Sequence, residues 1–304
     1  MAAPTRISSV FRPNLFKGKV AIVTGGGTGI GKAITQELLY LGCQVMIASR
    51  KMDRLSASAK VMETEISNPY AKLEHMQCNI RQEDAVKNLV STTIKKFGKL
   101  DFLVNNGGGQ FPSPASDIRL KGWNAVIETN LTGTFLCCKE AYNQWMSENG
   151  GIIVNIVADM WRGFPGMSHT GAARAAVDNL TKSLAIEWAD HGVRINSVAP
   201  GSSIYSETAA MNYGSPDIFN GNIPYVPAKR LGNVEEISSV VCFLLNPSAS
   251  FISGETVKVD AGGSLYNGAW EIQDHNKIPA YSWKTDQPDN DDDNDGQSGT
   301  KSKL

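Results

Sequence analysis

Short runs of β-branched and other apolar residues alternate with longer amphipathic segments between residues 19 and 266. The apolar runs predict seven strands, at residues 19–24, 44–48, 73–78, 101–105, 152–157, 194–198 and 256–260. Between most of them apolar residues recur with a helical period, for example at residues 30–41, 82–97 and 170–189. Apolar strands that alternate with helices are typical of a parallel sheet that is covered on both faces. The pattern therefore predicts an α/β fold with a single doubly wound, seven-stranded parallel sheet and helices on both faces.

Three segments fall outside this alternation of strands and helices. Residues 202–229 contain glycines and prolines without a clear period, and a long loop inside a compact domain commonly covers a binding site. We therefore predict a substrate lid there, within one domain that spans residues 19–266. Residues 1–18 form an N-terminal extension in this division, and residues 267–304 form an acidic tail. We expect that tail to be largely disordered, above all at residues 286–299, because its composition offers little to bury.

Composition argues against several classes of function. The 304 residues carry a formal net charge of −1, which gives no reason to expect nucleic acid as a partner. No apolar run is long enough to predict a membrane span, and the first residues do not resemble a secretory signal. The five cysteines form no CxxC pair, so we expect buried, reduced thiols. The four histidines belong to no cluster with metal-ligand spacing, so we predict no metal site.

The last three residues match a peroxisomal targeting signal. Ser302, Lys303 and Leu304 stand at the C-terminus, where the peroxisomal import receptor reads this tripeptide. A flexible tail would present the tripeptide to the receptor. The sequence therefore predicts a peroxisomal location, with the import receptor as a partner.

A glycine-rich turn follows the first predicted strand and opens the first predicted helix. Its glycines have GxxxGxG spacing at Gly25, Gly29 and Gly31, and Thr28 and Ile30 stand between them. Glycines at such a turn let the backbone approach a pyrophosphate, whose charge the helix N-terminus stabilises. The turn therefore predicts a nicotinamide dinucleotide site.

The end of the second predicted strand indicates which dinucleotide binds. An NAD site would place an acidic residue there to hold the ribose 2′-hydroxyl. This chain has Arg50 and Lys51 instead. Arg50 can pair with a 2′-phosphate, which a carboxylate would repel. We therefore predict NADPH as the cofactor.

Further motifs follow the later strands. The chain has Cys78-Asn79-Ile80 after the third, Asn105-Asn106-Gly107-Gly108 after the fourth, Thr129-Asn130-Leu131-Thr132-Gly133 in the helix that follows, and Pro200-Gly201 after the sixth. In this order they resemble the short-chain dehydrogenase/reductase family over residues 16–265. The resemblance implies a Rossmann-type fold and a catalytic role for Asn130. It also implies that Asn79, Ile80, Asn106, Gly107, Gly108, Pro200 and Gly201 contact the cofactor.

The chain departs from that family at its usual acid/base residues. The family carries a serine and a Tyr-x-x-x-Lys helix, but here Ala158 ends the strand motif and Thr170 and Arg174 replace the tyrosine and the lysine. A threonine hydroxyl is a far weaker acid than a phenol, so ordinary ketone reduction is not expected. Arg174, Asp178 and Lys182 are spaced i, i+4, i+8 and share one helix face. We predict that this charged stripe is catalytic.

The altered helix resembles the branch of the family that reduces carbon–carbon double bonds of fatty acyl-CoA thioesters. Reduction of a trans-2-enoyl-CoA needs donors aimed at an enolate oxygen and a source of the α-proton. The resemblance suggests Asn130 for the donor and Arg174 for the ribose, with Asp178 as the candidate proton source. Phe111 and the lid would line an acyl tunnel, and Arg81 and Lys229-Arg230 are candidates for binding CoA phosphates, beside the alternative of plain surface charge.

Two other interpretations stay open. An aspartate at position 178 also resembles the 2,4-dienoyl-CoA reductases of this branch, so a dienoyl-CoA is the alternative substrate. The chain could also be a non-catalytic NADP(H)-binding protein that kept the fold, because fold does not imply function. The family resemblance suggests a homotetramer.

Overall fold

A computed structural model describes residues 9–213, 217–268 and 270–283. The strands are β1 (Val20–Thr24), β2 (Gln44–Ser49), β3 (Lys72–Gln77), β4 (Phe102–Asn105), β5 (Gly151–Ile156), β6 (Val193–Pro200) and β7 (Thr256–Val259). The helices are α1 (Gly29–Tyr40), α2 (Met52–Glu65), α3 (Glu83–Phe97), α4 (Leu120–Ile127), α5 (Gly133–Ala141), α6 (Ser147–Asn149), α7 (Ser168–Glu187), α8 (Glu207–Tyr213), α9 (Asp217–Asn220) and α10 (Val234–Leu245).

The seven strands form one parallel sheet in the order β3-β2-β1-β4-β5-β6-β7. This confirms the predicted doubly wound fold. From β1 the chain builds the sheet to one side through β2 and β3, and then returns to add β4 to β7 on the other side. The strand order therefore reverses between β1 and β4, and a crevice opens there beyond the carboxyl ends of the strands, which is where such sheets bind ligands.

The core lies on both faces of the sheet. Side chains alternate along a strand, so Ala21 and Val23 of β1 join one buried cluster and Ile22 joins the other. Helices α1, α2 and α10 pack on the first face, and α3, α5 and α7 pack on the second. The five cysteines are buried free thiols, as predicted. Burial raises the pKa of Cys138 to about 12, which keeps that thiol protonated.

The lid segment contains more regular structure than the sequence indicated. Helices α8 and α9 and a short 3₁₀ turn (Ile223–Tyr225) lie within residues 202–229. Helices of seven and four residues contain too few turns to show a hydrophobic period. The segment thus contains short helices rather than a loop without structure, and its role as a lid stays a prediction.

Both terminal segments contribute to the domain. Phe16 is 1% exposed and packs edge-on against Phe102, with ring centroids 5.2 Å apart. At the other end, Trp283 is 3% exposed, and Arg230 donates a hydrogen bond of 2.8 Å to the Ile278 carbonyl. The domain therefore extends past the predicted boundary at residue 266. Residues 284–304, with the predicted disordered stretch 286–299 and the tripeptide Ser302-Lys303-Leu304, lie outside the described residues.

Two expectations of absence can be compared with the described part of the chain. None of its helices is long and apolar enough to cross a membrane. Its histidines, cysteines and acidic residues form no group of three or more that could hold a metal ion.

Candidate functional site

The glycine-rich turn lies at the switch between β1 and β4. Gly25 has a φ of +67°, a conformation that favours glycine, and its N–H donates to the Ala48 carbonyl at 2.7 Å. A Cβ on Gly31 would overlap the Gly25 carbonyl oxygen and the Asn106 amide nitrogen. The structure therefore leaves no room for a side chain at position 31, and α1 begins within the turn, at Gly29.

The loop after β4 holds this turn in place. Thr24 Oγ1 accepts the N–H groups of Asn106 at 3.1 Å and Gly107 at 2.8 Å. In return, Asn106 Nδ2 donates to the carbonyl oxygens of Thr24 at 3.1 Å and Gly25 at 3.3 Å. These reciprocal bonds join the ends of two neighbouring strands into one rigid cradle.

A cavity of about 260 Å³ extends from the cradle to the end of β2. Its lining includes Gly25, Thr28, Arg50, Lys51, Ile80, Gly107 and Gly108, all of which were predicted to contact the cofactor. It also includes Arg54, which sequence reasoning missed. Arg54 lies in the first turn of α2, three residues after Lys51, and its closeness in sequence to Arg50 and Lys51 is the signal that could have identified it. The cavity thus joins a glycine cradle to three cationic side chains, Arg50, Lys51 and Arg54.

Asn79 is not among the residues that line this cavity in the described structure. Its Oδ1 accepts the backbone N–H of Arg81 at 3.3 Å, which shapes the turn after β3. The contact of Asn79 with a cofactor stays a prediction.

Asn130 lies in a π-helical turn (Glu128–Thr132) between α4 and α5. Such turns occur often at functional sites. Asn130 is fully buried, its Oδ1 accepts the Gly109 N–H at 2.9 Å, and its Nδ2 donates to the Gly109 carbonyl at 2.9 Å. These bonds position the loop after β4, and the catalytic role of Asn130 stays a prediction.

A second cavity, of about 420 Å³, lies between the loop after β4 and the lid. The described residues that line it are mostly apolar, and they include Ile30, Pro200, Gly201, Ile204 and Phe219. Its polar groups include Asn106, Gln110, Asp159 and Arg174. Asp159 is a residue that sequence reasoning missed. The arrangement suits an apolar ligand that carries one polar reacting group.

Arg174 is the member of the predicted stripe that lines this cavity. Arg174 as a whole is 7% exposed, and its Nη1 donates to the Ile156 carbonyl at 2.8 Å. A Cβ on Gly108 would overlap Arg174 Nη2, so glycine at position 108 makes room for the guanidinium. A buried cation with one nitrogen anchored on β5 is suited to stabilise negative charge in the cavity.

Asp178 and Lys182, the other two members of the predicted stripe, lie outside this cavity. Asp178 Oδ1 accepts a hydrogen bond of 2.6 Å from Thr256 Oγ1 of β7, and Oδ2 accepts one of 2.6 Å from Lys182 Nζ. Neither residue is among those that line the two cavities in the described structure. Both Asp178 oxygens accept hydrogen bonds, one from β7 and one from Lys182 on the same helix, and the role of Asp178 as proton source stays a prediction.

The residues predicted to contact CoA and the acyl chain make contacts within the protein. Arg230 makes a bidentate pair with Glu236, at 2.7 and 3.0 Å, and binds carbonyls of the C-terminal segment. Its donors are therefore engaged in holding that segment. Arg81 pairs with Glu128 and lines neither cavity among the described residues. Phe111 is next to Gln110 in the chain and packs edge-on against the buried ring of His169, with centroids 4.5 Å apart.

The chain is similar to known proteins over most of its length. Residues 25–264 match the family described as enoyl-(acyl carrier protein) reductase. The chain is similar to the peroxisomal 2,4-dienoyl-CoA reductase, (3E)-enoyl-CoA-producing, of Danio rerio, with 34% identity over 261 residues, or 86% of each chain. It is also similar to a probable 2,4-dienoyl-CoA reductase, (2E)-enoyl-CoA-producing, of Bacillus subtilis (strain 168), with 36% identity over 80% of this chain and 96% of that relative.

A solved structure supports the fold assignment. A citronellol catabolism dehydrogenase of Pseudomonas aeruginosa PAO1 superposes with a TM-score of 0.73 at 43% identity. The match covers 84% of this chain and 99% of that one.

Proposed function

Because the chain belongs to the short-chain dehydrogenase/reductase family, we propose that it uses NADPH to reduce the double bond of trans-2-enoyl-CoA thioesters. The family consists of oxidoreductases that bind NAD(P)H. The proposal rests on one observation above all. The apolar cavity contains a buried arginine beside the cofactor cradle, and its described lining contains neither a tyrosine nor the usual serine.

The residues of the cradle fit a nicotinamide dinucleotide phosphate. A pyrophosphate would lie at the glycine turn and the N-terminus of α1, where backbone N–H groups and the helix dipole favour an anion. A 2′-phosphate would lie near Arg50, Lys51 and Arg54 at the other end of the same cavity. When bound, NADPH would supply the hydride that the β-carbon of the substrate receives.

The chain's own groups would handle the charge that this transfer creates. Hydride addition to the β-carbon moves negative charge to the thioester oxygen, as an enolate. The Arg174 guanidinium lines the cavity in a buried position, where a charge-assisted hydrogen bond is strong. Ile30, Ile204 and Phe219 would exclude water around the acyl chain. This chemistry needs no phenol, because no alkoxide is protonated.

A 2,4-dienoyl-CoA is the second candidate substrate. It is favoured by the names of the two curated relatives, which are similar to this chain over 80% or more of its length. The same cavity and the same arginine could stabilise the extended enolate of a diene. The peroxisomal location, the import receptor as a partner and the homotetramer stay proposals, supported by the sequence and, for the location, by the name of the Danio rerio relative.

One assay tests the function and chooses the substrate. Purified protein is mixed with NADPH and either trans-2-hexenoyl-CoA, 2,4-hexadienoyl-CoA or 3-oxohexanoyl-CoA, and loss of NADPH is followed. We expect turnover of the enoyl thioester and none of the 3-oxo thioester. Turnover of the diene alone would replace the first candidate by the second. Tight NADPH binding without turnover of any thioester would leave a non-catalytic binding protein.

Replacing Arg50 by alanine should weaken NADPH binding about tenfold and leave NADH binding within about twofold. The reason is that a charge-assisted hydrogen bond to a phosphate contributes about 1.5–3 kcal/mol, which partial exposure and the remaining Lys51 and Arg54 would reduce. Fluorescence titration with both cofactors measures the effect, and the ratio of the two affinities cancels any general loss of stability. Equal losses for NADPH and NADH would show that Arg50 does not contact a 2′-phosphate.

A further inference from the structure

Asp159 is a carboxylic acid in the larger cavity that the predicted catalytic stripe does not include. It lies two residues beyond Val157 in the loop that follows β5, and it lines the cavity together with Arg174 and Gly108. Among the described lining residues it is the one carboxyl group. The other ionisable group there is Arg174, and an arginine does not give up its proton in proteins.

The surroundings of Asp159 shift its pKa upward. Burial and the nearby carboxylate of Asp260 raise its pKa, and these effects exceed the opposing ones of Lys258, Arg162 and the Trp161 N–H. Asp159 can therefore stay protonated at a higher pH than an exposed aspartate.

The pKa of Asp260 is shifted in the opposite direction, downward. Burial would raise its pKa, but hydrogen bonds from Ser264 and Gly262 lower it overall. The N–H groups of Gly262 and Ser264 donate to its two oxygens at 3.0 and 2.9 Å. Two neighbouring carboxyl groups whose pKa values are pushed apart are the arrangement in which one serves as an acid while the other stays ionised.

We propose that the Asp159 carboxyl group donates the proton that the α-carbon of the substrate receives. This inference rests on the proposed function, since a reduced thioester double bond requires one proton for every hydride. Neither alternative on α7 is suitable. Both oxygens of Asp178 are bonded to Thr256 and Lys182, and Thr170 is fully buried and does not line the cavity in the described structure.

The proton balance of the step is simple. The β-carbon gains a hydride from NADPH, and the thioester becomes an enolate. The Asp159 O–H bond then breaks, its proton forms a C–H bond at the α-carbon, and the enolate collapses to the saturated thioester. Asp159 is left as a carboxylate, and it regains a proton from water before the next turnover. NADPH is oxidised and the acyl group is reduced.

The first test replaces Asp159 by asparagine, which keeps size and polarity but removes the acidic proton. Loss of a general acid typically costs 10²–10⁴-fold, so we expect kcat for trans-2-hexenoyl-CoA to fall at least ~100-fold, with NADPH affinity unchanged. The matched control is Asp190→Asn. Asp190 is highly exposed and lies in the turn before β6, at the opposite end of the sheet from the site, so this variant should keep full activity.

The pH dependence of the wild-type enzyme provides an independent readout. If Asp159 must be protonated, kcat/KM is constant at low pH and falls tenfold per pH unit above the raised pKa. Asp159→Glu should shift this limb, and Asp159→Asn should remove it. Product formed in D₂O should carry one deuterium at the α-carbon and none at the β-carbon. Turnover of Asp159→Asn within about threefold of wild type, with the same pH limb, would overturn the proposal and make solvent the donor.

A titration without cofactor or substrate covers the case in which the variant folds poorly. In protein labelled with ¹³C at the aspartate carboxyl carbons, one signal should titrate above the others and shift when Lys258→Met removes a cation near Asp159. The absence of any aspartate with a raised pKa would refute the inference. Failure of the wild type to consume NADPH with any thioester would instead refute the proposed function, so the two failures can be told apart.

Discussion

Replacement of Gly31 by alanine is expected to weaken NADPH binding by at least ~100-fold and to lower the melting temperature. The added Cβ would overlap the Gly25 carbonyl oxygen and Asn106 Nδ2, and it would lie 2.9 Å from the Gly25 carbonyl carbon. Two of these atoms are backbone, and the third is held by hydrogen bonds to Thr24 and Gly25. The turn must therefore shift to make room.

The shift affects both stability and binding. Overpacking a tight site costs roughly 1–3 kcal/mol, and displacing pre-positioned groups by about 1 Å can cost ~100-fold in function. Thermal unfolding and fluorescence titration with NADPH measure the two effects in the same preparation. A Gly31→Ala protein that binds NADPH like the wild type would place the pyrophosphate elsewhere.

Gly109→Ala is the matched control for stability. A Cβ at Gly109 would meet only Thr129 Cγ2, at 3.8 Å, which is an ordinary van der Waals contact. The free energy of unfolding should therefore change by less than about 0.5 kcal/mol. The comparison separates the overlap at Gly31 from the general effect of adding a methyl group to a loop glycine.

Strands β1 and β4 were predictable because their burial is uniform. Every residue of β1 and of β4 is buried. The apolar runs in the sequence therefore begin and end within one residue of these two observed strands. The cradle was predictable for a related reason. A glycine turn between a strand and a helix is a local device, and all of its residues except Asn106 and Gly107 lie in one stretch of sequence.

The charged stripe on α7 shows where sequence reasoning stops. The spacing of Arg174, Asp178 and Lys182 does place them along one side of the helix, but a helix segment of just over two turns packs against more than one neighbouring strand. Arg174 lies beside the carbonyl end of β5, whereas Asp178 lies beside Thr256 on β7. Which neighbour each turn meets depends on the packing of a strand nearly 80 residues later in the chain.

Arg230 illustrates the same limit. A basic pair after a lid is chemically suited to a phosphate, and no local signal contradicts that interpretation. In the structure, Arg230 binds Glu236, which is six residues away, and two carbonyls of the C-terminal segment, which are 48 and 49 residues away. Contacts of that range arise only when the chain is folded, so the sequence could not distinguish a structural arginine from a ligand-binding one.

Replacing Arg174 by alanine is expected to lower kcat/KM for trans-2-hexenoyl-CoA by about 100- to 1000-fold, because loss of one oxyanion donor has effects of this size. The variant would lose the buried charge and its Nη1 hydrogen bond to the Ile156 carbonyl. Arg174→Lys should recover part of the activity, since the charge returns without the planar group. Steady-state kinetics, with NADPH titration as a check on folding, measure both variants.

Asp178→Asn is expected to behave differently, because it alters the same helix face outside the cavity. The asparagine side chain can still accept the Thr256 hydrogen bond and loses mainly the ion pair with Lys182. Lys182 is 53% exposed, and pairs of this kind contribute about 0–1 kcal/mol. We therefore expect activity within about twofold of wild type and a small loss of stability. If Asp178→Asn instead abolished turnover in a folded, NADPH-binding protein, Asp178 would be the proton source and the assignment to Asp159 would fail.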